Sequence, residues 1–130
     1  MTQKNVDTMS TIVDYLAEGK KISQALNYVY VKRNVIVPFN EDDMQEPLQV
    51  LGMTSRTTNA LMRAGARTIC DTVRMSTQKS LDRVRNFGRV CGIEMFEALL
   101  DYCWERMDNE HRAAFLIDVV QRNEDNLREA

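Results

Sequence analysis

The sequence predicts an all-α protein, a compact bundle of short helices with an N-terminal helical arm and a further C-terminal helix. Two observations predict it. Apolar residues recur at helical spacing along most of the chain, and helix start and stop residues punctuate those stretches. The 130 residues, 44% hydrophobic and 28% charged, leave room for one domain with an appended arm and supply enough apolar side chains for a packed core.

Met9, Ile12, Val13 and Leu16 fall at i, i+3, i+4 and i+7, which predicts an amphipathic helix over 8–18 stopped by Gly19. Ser23 is placed to cap a second helix carrying Leu26, Val29 and Tyr30. The Asn34 to Pro38 run favours extended backbone, since Val37 precedes proline; a short strand and a loop both remain open there. Residues 40–47 hold Glu41, Asp42, Asp43, Glu46 and Pro47, an acidic linker that divides a 1–46 arm from a 47–130 helical domain. Thr54 and Ser55 then cap a helix running to Ala64, with Gly65 closing it in a left-handed conformation. Thr68 caps a short helix through Val73, and Ser76 or Thr77 caps another through Val84. A longer helix is expected from about Arg89 to Met107, turning Met95, Phe96, Leu99, Leu100, Cys103 and Trp104 inward, with Gly92 in its first turn. Asp108 caps the last helix, whose Ala113, Leu116, Ile117 and Val120 form a stripe widened by Phe115 and Val119.

Several kinds of chemistry are unsupported. No stretch approaches the ~20 apolar residues of a membrane span, and the charged residues Lys4, Asp7, Asp14 and Glu18 break any signal-peptide pattern, so a cytoplasmic protein with no membrane partner is expected. Cys70, Cys91 and Cys103 are odd in number and lack CxxC spacing, and His111 is the single imidazole. That argues against a disulfide framework and against a Cys/His zinc site, and reads as buried thiols. Phosphate-cradling glycine loops and zinc-protease motifs are absent, and the paired carboxylates Asp42/Asp43 and Asp101/Glu105 have the spacing of solvated side chains. Cys91 beside Arg89 at a helix start has no companion Cys or His for thiol catalysis. Neither enzymatic activity, a metal nor a cofactor is expected.

The net charge of −2 conceals a sharp division. Residues 52–93 carry Arg56, Arg63, Arg67, Arg74, Lys79, Arg83, Arg85 and Arg89 against only Asp71 and Asp82, a net +6; residues 1–51 are net −2 and residues 94–130 net −6. Such a block attracts phosphate or an acidic protein, and arginine suits either through bidentate bonds. A solvated basic face paired with the acidic C-terminal third is the competing explanation.

The order Leu51-Gly-Met-Thr-Ser-Arg-Thr-Thr-Asn-Ala-Leu61, Ala64-Gly65, Thr68-Ile69, Leu81, Val84-Arg-Asn-Phe-Gly-Arg89 and Glu94 resembles the C-terminal domain of the bacterial RNA polymerase alpha subunit, over residues about 48–102. The resemblance implies a helix-hairpin-helix element and a domain that binds the minor groove of A·T-rich DNA upstream of promoters and meets transcription regulators. Carried over by position, the DNA contacts fall on Arg56, Asn59, Gly88, Arg89 and Glu94. Val90 and Cys91 depart from the family pattern, standing where it has Lys and Ser, which removes a phosphate charge and a hydroxyl donor. The alpha subunit's large N-terminal assembly domain does not fit in 130 residues, so the resemblance implies a free-standing relative or a fragment.

The residues support a contact surface on their own terms. Arg56, Asn59 and Arg63, at i, i+3 and i+7, share one helix face. Arginine inserts into narrow A·T minor grooves and asparagine reaches base acceptors there. Asn86-Phe87-Gly88 would aim backbone N–H groups at a phosphate, with Arg85 or Arg89 adding charge, and Phe87 reads as a core plug. The candidate DNA-binding set is therefore Arg56, Asn59, Arg63, Arg85, Gly88, Arg89 and Glu94. The expected partner is double-stranded DNA, at the nucleoid. The alternative is a protein-interaction module that binds a transcription regulator, a polymerase component or itself, the last as a homodimer through the C-terminal helix.

Overall fold

A computed structural model describes residues 1–31, 37–38, 45–77 and 87–128, and it is all-α. The described helices are α1 (Gln3–Ala17), α2 (Ile22–Val29), α3 (Ser55–Arg63), α4 (Ile69–Thr77), α5 (Arg89–Arg106) and α6 (Asn109–Arg122), with single 3₁₀ turns at Leu48–Leu51 and Glu124–Asn126. Pairing of extended backbone among the described residues is confined to two isolated antiparallel bridges, Tyr30 with Leu127 and Pro47 with Thr68. The expected extended run over 34–36, most of the acidic linker, the helix predicted to end at Val84, and Arg85 and Asn86 lie outside the described residues.

The chain forms two compact units, Phe39–Tyr102 and a second built from Met1–Pro38 together with Cys103–Ala130. The linker-based reading of an arm over 1–46 follows the order of the chain, whereas the contacts follow apolar faces. In the second unit α1 packs on both α2 and α6. Ile12 of α1, Ile22, Ala25 and Leu26 of α2 and Leu116, Val119 and Val120 of α6 are all buried. Short amphipathic helices gain most of their stability from such packing.

Helix α1 begins earlier than its apolar spacing predicts, because the Thr2 hydroxyl accepts the Asn5 N–H at 3.1 Å and caps it. The buried Asn5 amide donates to the Glu124 carboxylate, joining the first helix to the last turn of the chain. Residues after that turn pair with the end of α2: Val31 N–H donates to Asn126 O at 2.8 Å, Arg128 N–H to Val29 O at 3.0 Å and Arg128 Nε to Asn27 O at 2.7 Å. Tyr30, at the end of α2, is fully buried, and burial pushes its phenol up to about 12.

Asp108 caps α6 as expected, its carboxylate accepting the His111 N–H at 2.8 Å. The buried face of α6 is Phe115, Leu116, Val119 and Val120, while Ala113 and Ile117 of the expected stripe face solvent. Asn123 continues the buried face by another turn, its side-chain amide donating to Val119 O at 2.7 Å. Phe115 meets Trp104 with ring centroids 6.0 Å apart, and Arg112 stacks 4.8 Å from the indole centre while donating to Trp104 O at 3.0 Å.

In the unit Phe39–Tyr102, α3 ends in the hydrogen-bond pattern of a Schellman cap. Gly65 N–H donates to Met62 O at 3.0 Å and Ala66 N–H to Leu61 O at 3.0 Å, with Gly65 at φ +103°. Ala66 and Leu61 are both buried, which supplies the apolar contact usual in this motif. Helix α4 starts with a reciprocal cap: Thr68 Oγ1 accepts the Asp71 N–H at 3.2 Å and Asp71 Oδ2 accepts the Thr68 N–H at 3.1 Å. It runs on through Ser76 and Thr77, which were expected to start a new helix. Helix α5 matches its predicted span to within a residue and buries Met95, Leu99 and Leu100.

Two glycines predict opposite responses to alanine. Gly65→Ala forces a side chain into the positive-φ region and is expected to cost roughly 1–2 kcal/mol. Gly92→Ala places a Cβ 3.8 Å from the Phe87 ring, an ordinary contact inside a helix, and is expected to stabilise by about 0.5–1 kcal/mol. Urea denaturation of both variants checks the signs.

Candidate nucleic-acid interface

The candidate surface is carried by α3 and by the start of α5, all within one compact unit. The helical period sets which side chains face out. Thr57, Ala60 and Leu61 are buried, so Arg56, Asn59 and Arg63 emerge on the solvent side, the polar stripe expected from i, i+3 and i+7. Ala64 is the C-cap and is itself exposed. Arg63 lies in the last turn, where a cation also complements the helix dipole. Arg67 is committed locally, its guanidinium donating to Met62 O at 2.8 Å and Ala66 O at 2.9 Å.

At the other edge Gly88 is exposed and immediately precedes α5, accepting the Gly92 N–H at 3.0 Å. It has no positive φ, and among the described residues nothing lies within 4 Å of where its Cβ would stand. Neither backbone strain nor packing among the described residues requires a glycine there. Arg89 is exposed as the first residue of α5, Val90 is 77% exposed, and Cys91 is buried. Phe87 is half-buried against the start of the same helix. Arg85 lies outside the described residues.

Glu94, in the second turn of α5, reaches the entrance of α3. Its Oε1 accepts the Thr54 backbone N–H at 3.1 Å and the Thr54 hydroxyl at 2.9 Å. Thr57, whose hydroxyl lies 3.3 Å from that of Thr54, bonds the same carboxyl. Burial raises the Glu94 carboxyl, but the bonds from Thr57 and Thr54 outweigh it and hold the group below its ordinary value. Asp71 is also held low, by the backbone N–H groups of Arg67 and Thr68.

Thr54 is the functional neighbour that the sequence conceals. It reads as a cap for its own helix, yet its side chain makes no capping bond there and is turned to Glu94, forty residues away. None of the three cysteines is in a disulfide; Cys70 and Cys91 are buried, and burial pushes the half-buried Cys103 thiol up to about 11. Among the described residues no three His, Cys, Asp or Glu side chains come together to hold a metal. None of the described helices is long and apolar enough to cross a membrane.

A family model for the C-terminal domain of the bacterial RNA polymerase alpha subunit matches residues 38–107, more than half the chain. The protein belongs to this family. Two relatives, each a DNA-directed RNA polymerase subunit alpha of Tropheryma whipplei, from strains Twist and TW08/27, are 32% identical to it over 91 residues. Those 91 residues are 70% of this chain and 28% of each relative, so the chain spans less than a third of the length of these alpha subunits. No solved structure matches it significantly. The family match covers α3, α4 and α5 together, and with them every described residue of the candidate surface.

Because the folded state holds Glu94 ionised more strongly than the unfolded chain does, this carboxylate stabilises the fold above the ordinary glutamate range. That contribution drains away as the pH falls below the range and through the lowered folded-state value. Glu94→Gln is expected to lower the urea midpoint at pH 7, and the difference from the native protein is expected to shrink as the pH is lowered. A difference that stays constant as the pH falls would count against the assignment.

Proposed function

We propose that this chain is a non-enzymatic DNA-binding module of the transcription apparatus, which engages the minor groove and flanking phosphates of A·T-rich duplex. The observation that carries this reading is the exposed Arg56, Asn59 and Arg63 stripe on α3, in the same unit as an open Gly88 and an exposed Arg89 at the entrance of α5. Family membership supports the assignment to transcription. Arg56 enters the groove, where the potential of a narrow A·T tract is most negative, and Asn59 reaches base acceptors beside it. Arg63 and Arg89 neutralise phosphates, Arg85, three residues before Gly88 in the sequence, adds a further positive charge, and the bare backbone at Gly88 lets a phosphate come close. These contacts position the protein more than they read sequence.

The second reading, recognition of a protein, is favoured by one feature. Val90, in the first turn of α5 beside Arg89, is the most exposed of the large apolar side chains described. An apolar side chain at the edge of a basic surface suits a regulator or polymerase component with a mixed acidic and apolar face. Self-association through α6 has less behind it, because Leu116, Val119 and Val120 are buried in their own unit and Ile117 alone among the large apolar residues of that helix is exposed.

Fluorescence anisotropy with labelled A·T-rich and G·C-rich duplexes tests the first reading. The native protein is expected to prefer the A·T duplex and to weaken steeply with salt, since each neutralised phosphate releases counterion. Arg56→Ala should weaken binding by about 1–3 kcal/mol, with the larger loss on the A·T duplex. Val90→Lys, which returns a cation to this edge, should tighten binding and steepen the logarithmic salt slope by about 0.9. No binding to either duplex at ~50 mM salt would favour the protein-recognition reading.

A further inference from the structure

We propose that the protein pairs with a second copy of itself through α1, along the uncharged stripe of Val6, Met9, Val13 and Leu16. These residues alternate at spacings of three, four and three, the a and d positions of two heptads. The side of α1 that is buried in its own unit lies next to this stripe and is partly polar, carrying Asn5, Thr8 and Ile12. Val6 and Val13 remain 44% and 46% exposed, and Met9 and Leu16 are half-buried. Ser10 and Ala17, small residues on the open flank of the stripe, are exposed as well and leave room for a second helix to come close. An apolar stripe turned outward, on a helix whose packed side holds an asparagine and a threonine, reverses the usual amphipathic order.

The charges of α1 point to the occupant. Lys4, Asp7 and Asp14, with Glu18 at the C-cap, all fall at b or f positions on the far side of the helix, and Gln3, Ser10 and Ala17 on the open flank are uncharged. Such a seam offers nothing to a phosphate or to a charged peptide, and it does not repel its own copy. β-Branched residues at a with leucine at d favour two strands. Here both a positions are valine, and Leu16 holds one d position and the adaptable Met9 the other. With fifteen residues α1 is about 22 Å long, so the seam is small beside the interfaces of tight complexes and predicts a reversible, micromolar dimer. Helix α1 lies outside the matched residues 38–107, so this contact belongs to a part of the chain that the family match does not cover. A dimer carries the Arg56, Asn59 and Arg63 stripe twice, the condition for avidity on a duplex with two sites. The inference stands apart from the DNA reading, because association is measured without DNA.

The test is sedimentation equilibrium of the full chain over a range of concentrations, native and carrying Val6→Lys/Val13→Lys, Val6→Ile/Val13→Ile or Ile117→Lys, with thermal melting of each at low concentration. The native mass is expected to rise from 15.0 kDa toward twice that value, with a midpoint of about 10–100 µM. The lysine pair puts like charges into the seam and is expected to stay monomeric while melting like the native protein, because both valines are exposed in their own unit. The isoleucine pair keeps β-branched residues at both a positions and adds a methylene to each, so it is expected to tighten the dimer about tenfold. Ile117→Lys, on the exposed side of α6, is expected to associate like the native chain. A native mass that stays at 15.0 kDa up to about 500 µM, well above a micromolar midpoint, overturns the proposal. So do a lysine pair that dimerises normally, an assembly larger than two chains, and association lost on Ile117→Lys. Where the lysine pair fails to fold, the isoleucine pair carries the comparison, with an unchanged or weaker dimer as the overturning result.

Discussion

A helix of eight or nine residues has more unsatisfied end groups than internal hydrogen bonds, so it persists only where something outside it satisfies those ends. Both α3 and α4 have nine residues and α2 has eight. At the exit of α3 the backbone itself turns back through Gly65 and Ala66. At its entrance the Glu94 carboxylate of α5 supplies the missing acceptor, and at the start of α4 Thr68 and Asp71 exchange bonds. The end of α2 is held by backbone from the far end of the chain, between Asn126 and Arg128. The end groups of short helices thus join parts of the sequence that are distant from one another.

The same economy shapes the candidate interface. Burial of Thr57, Ala60 and Leu61 turns the opposite side of α3 outward, and that side carries two arginines and an asparagine with no apolar residue between them. The basic block of residues 52–93 is therefore not a uniformly charged coat. Arg67 is bonded to the carbonyls at the end of α3, while Arg56, Arg63 and Arg89 stand exposed. Val90, placed beside Arg89 and strongly exposed, makes this edge less cationic than the family pattern implies and gives the surface an apolar margin.

Membership of the alpha C-terminal domain family is carried by the stretch with this regular punctuation, residues 38–107, and the resemblance is legible in the same stretch of sequence. Outside it, the helices at the two ends of the chain belong together through α1 and α6. Nothing local announces that pairing. The apolar face of α1 is compatible with any neighbour of similar width, and only the packed unit shows that it meets α2 and α6.

The sequence by itself determined the helical class, the end of α3 at Gly65, the caps at Thr68 and Asp108, the span of α5 and the outward stripe of Arg56, Asn59 and Arg63. Each of these follows from interactions within one or two turns, where residue type and spacing are sufficient. Tertiary structure alone decided that Thr54 serves Glu94 rather than its own helix, that α6 buries Val119 and Asn123 while leaving Ile117 out, and that the first and last segments form one unit. These depend on groups forty or more residues apart, or on which side of a broad apolar face finds a partner. Residue spacing along a polypeptide holds no record of such choices, because they are settled by competition among packed faces for the same buried surface.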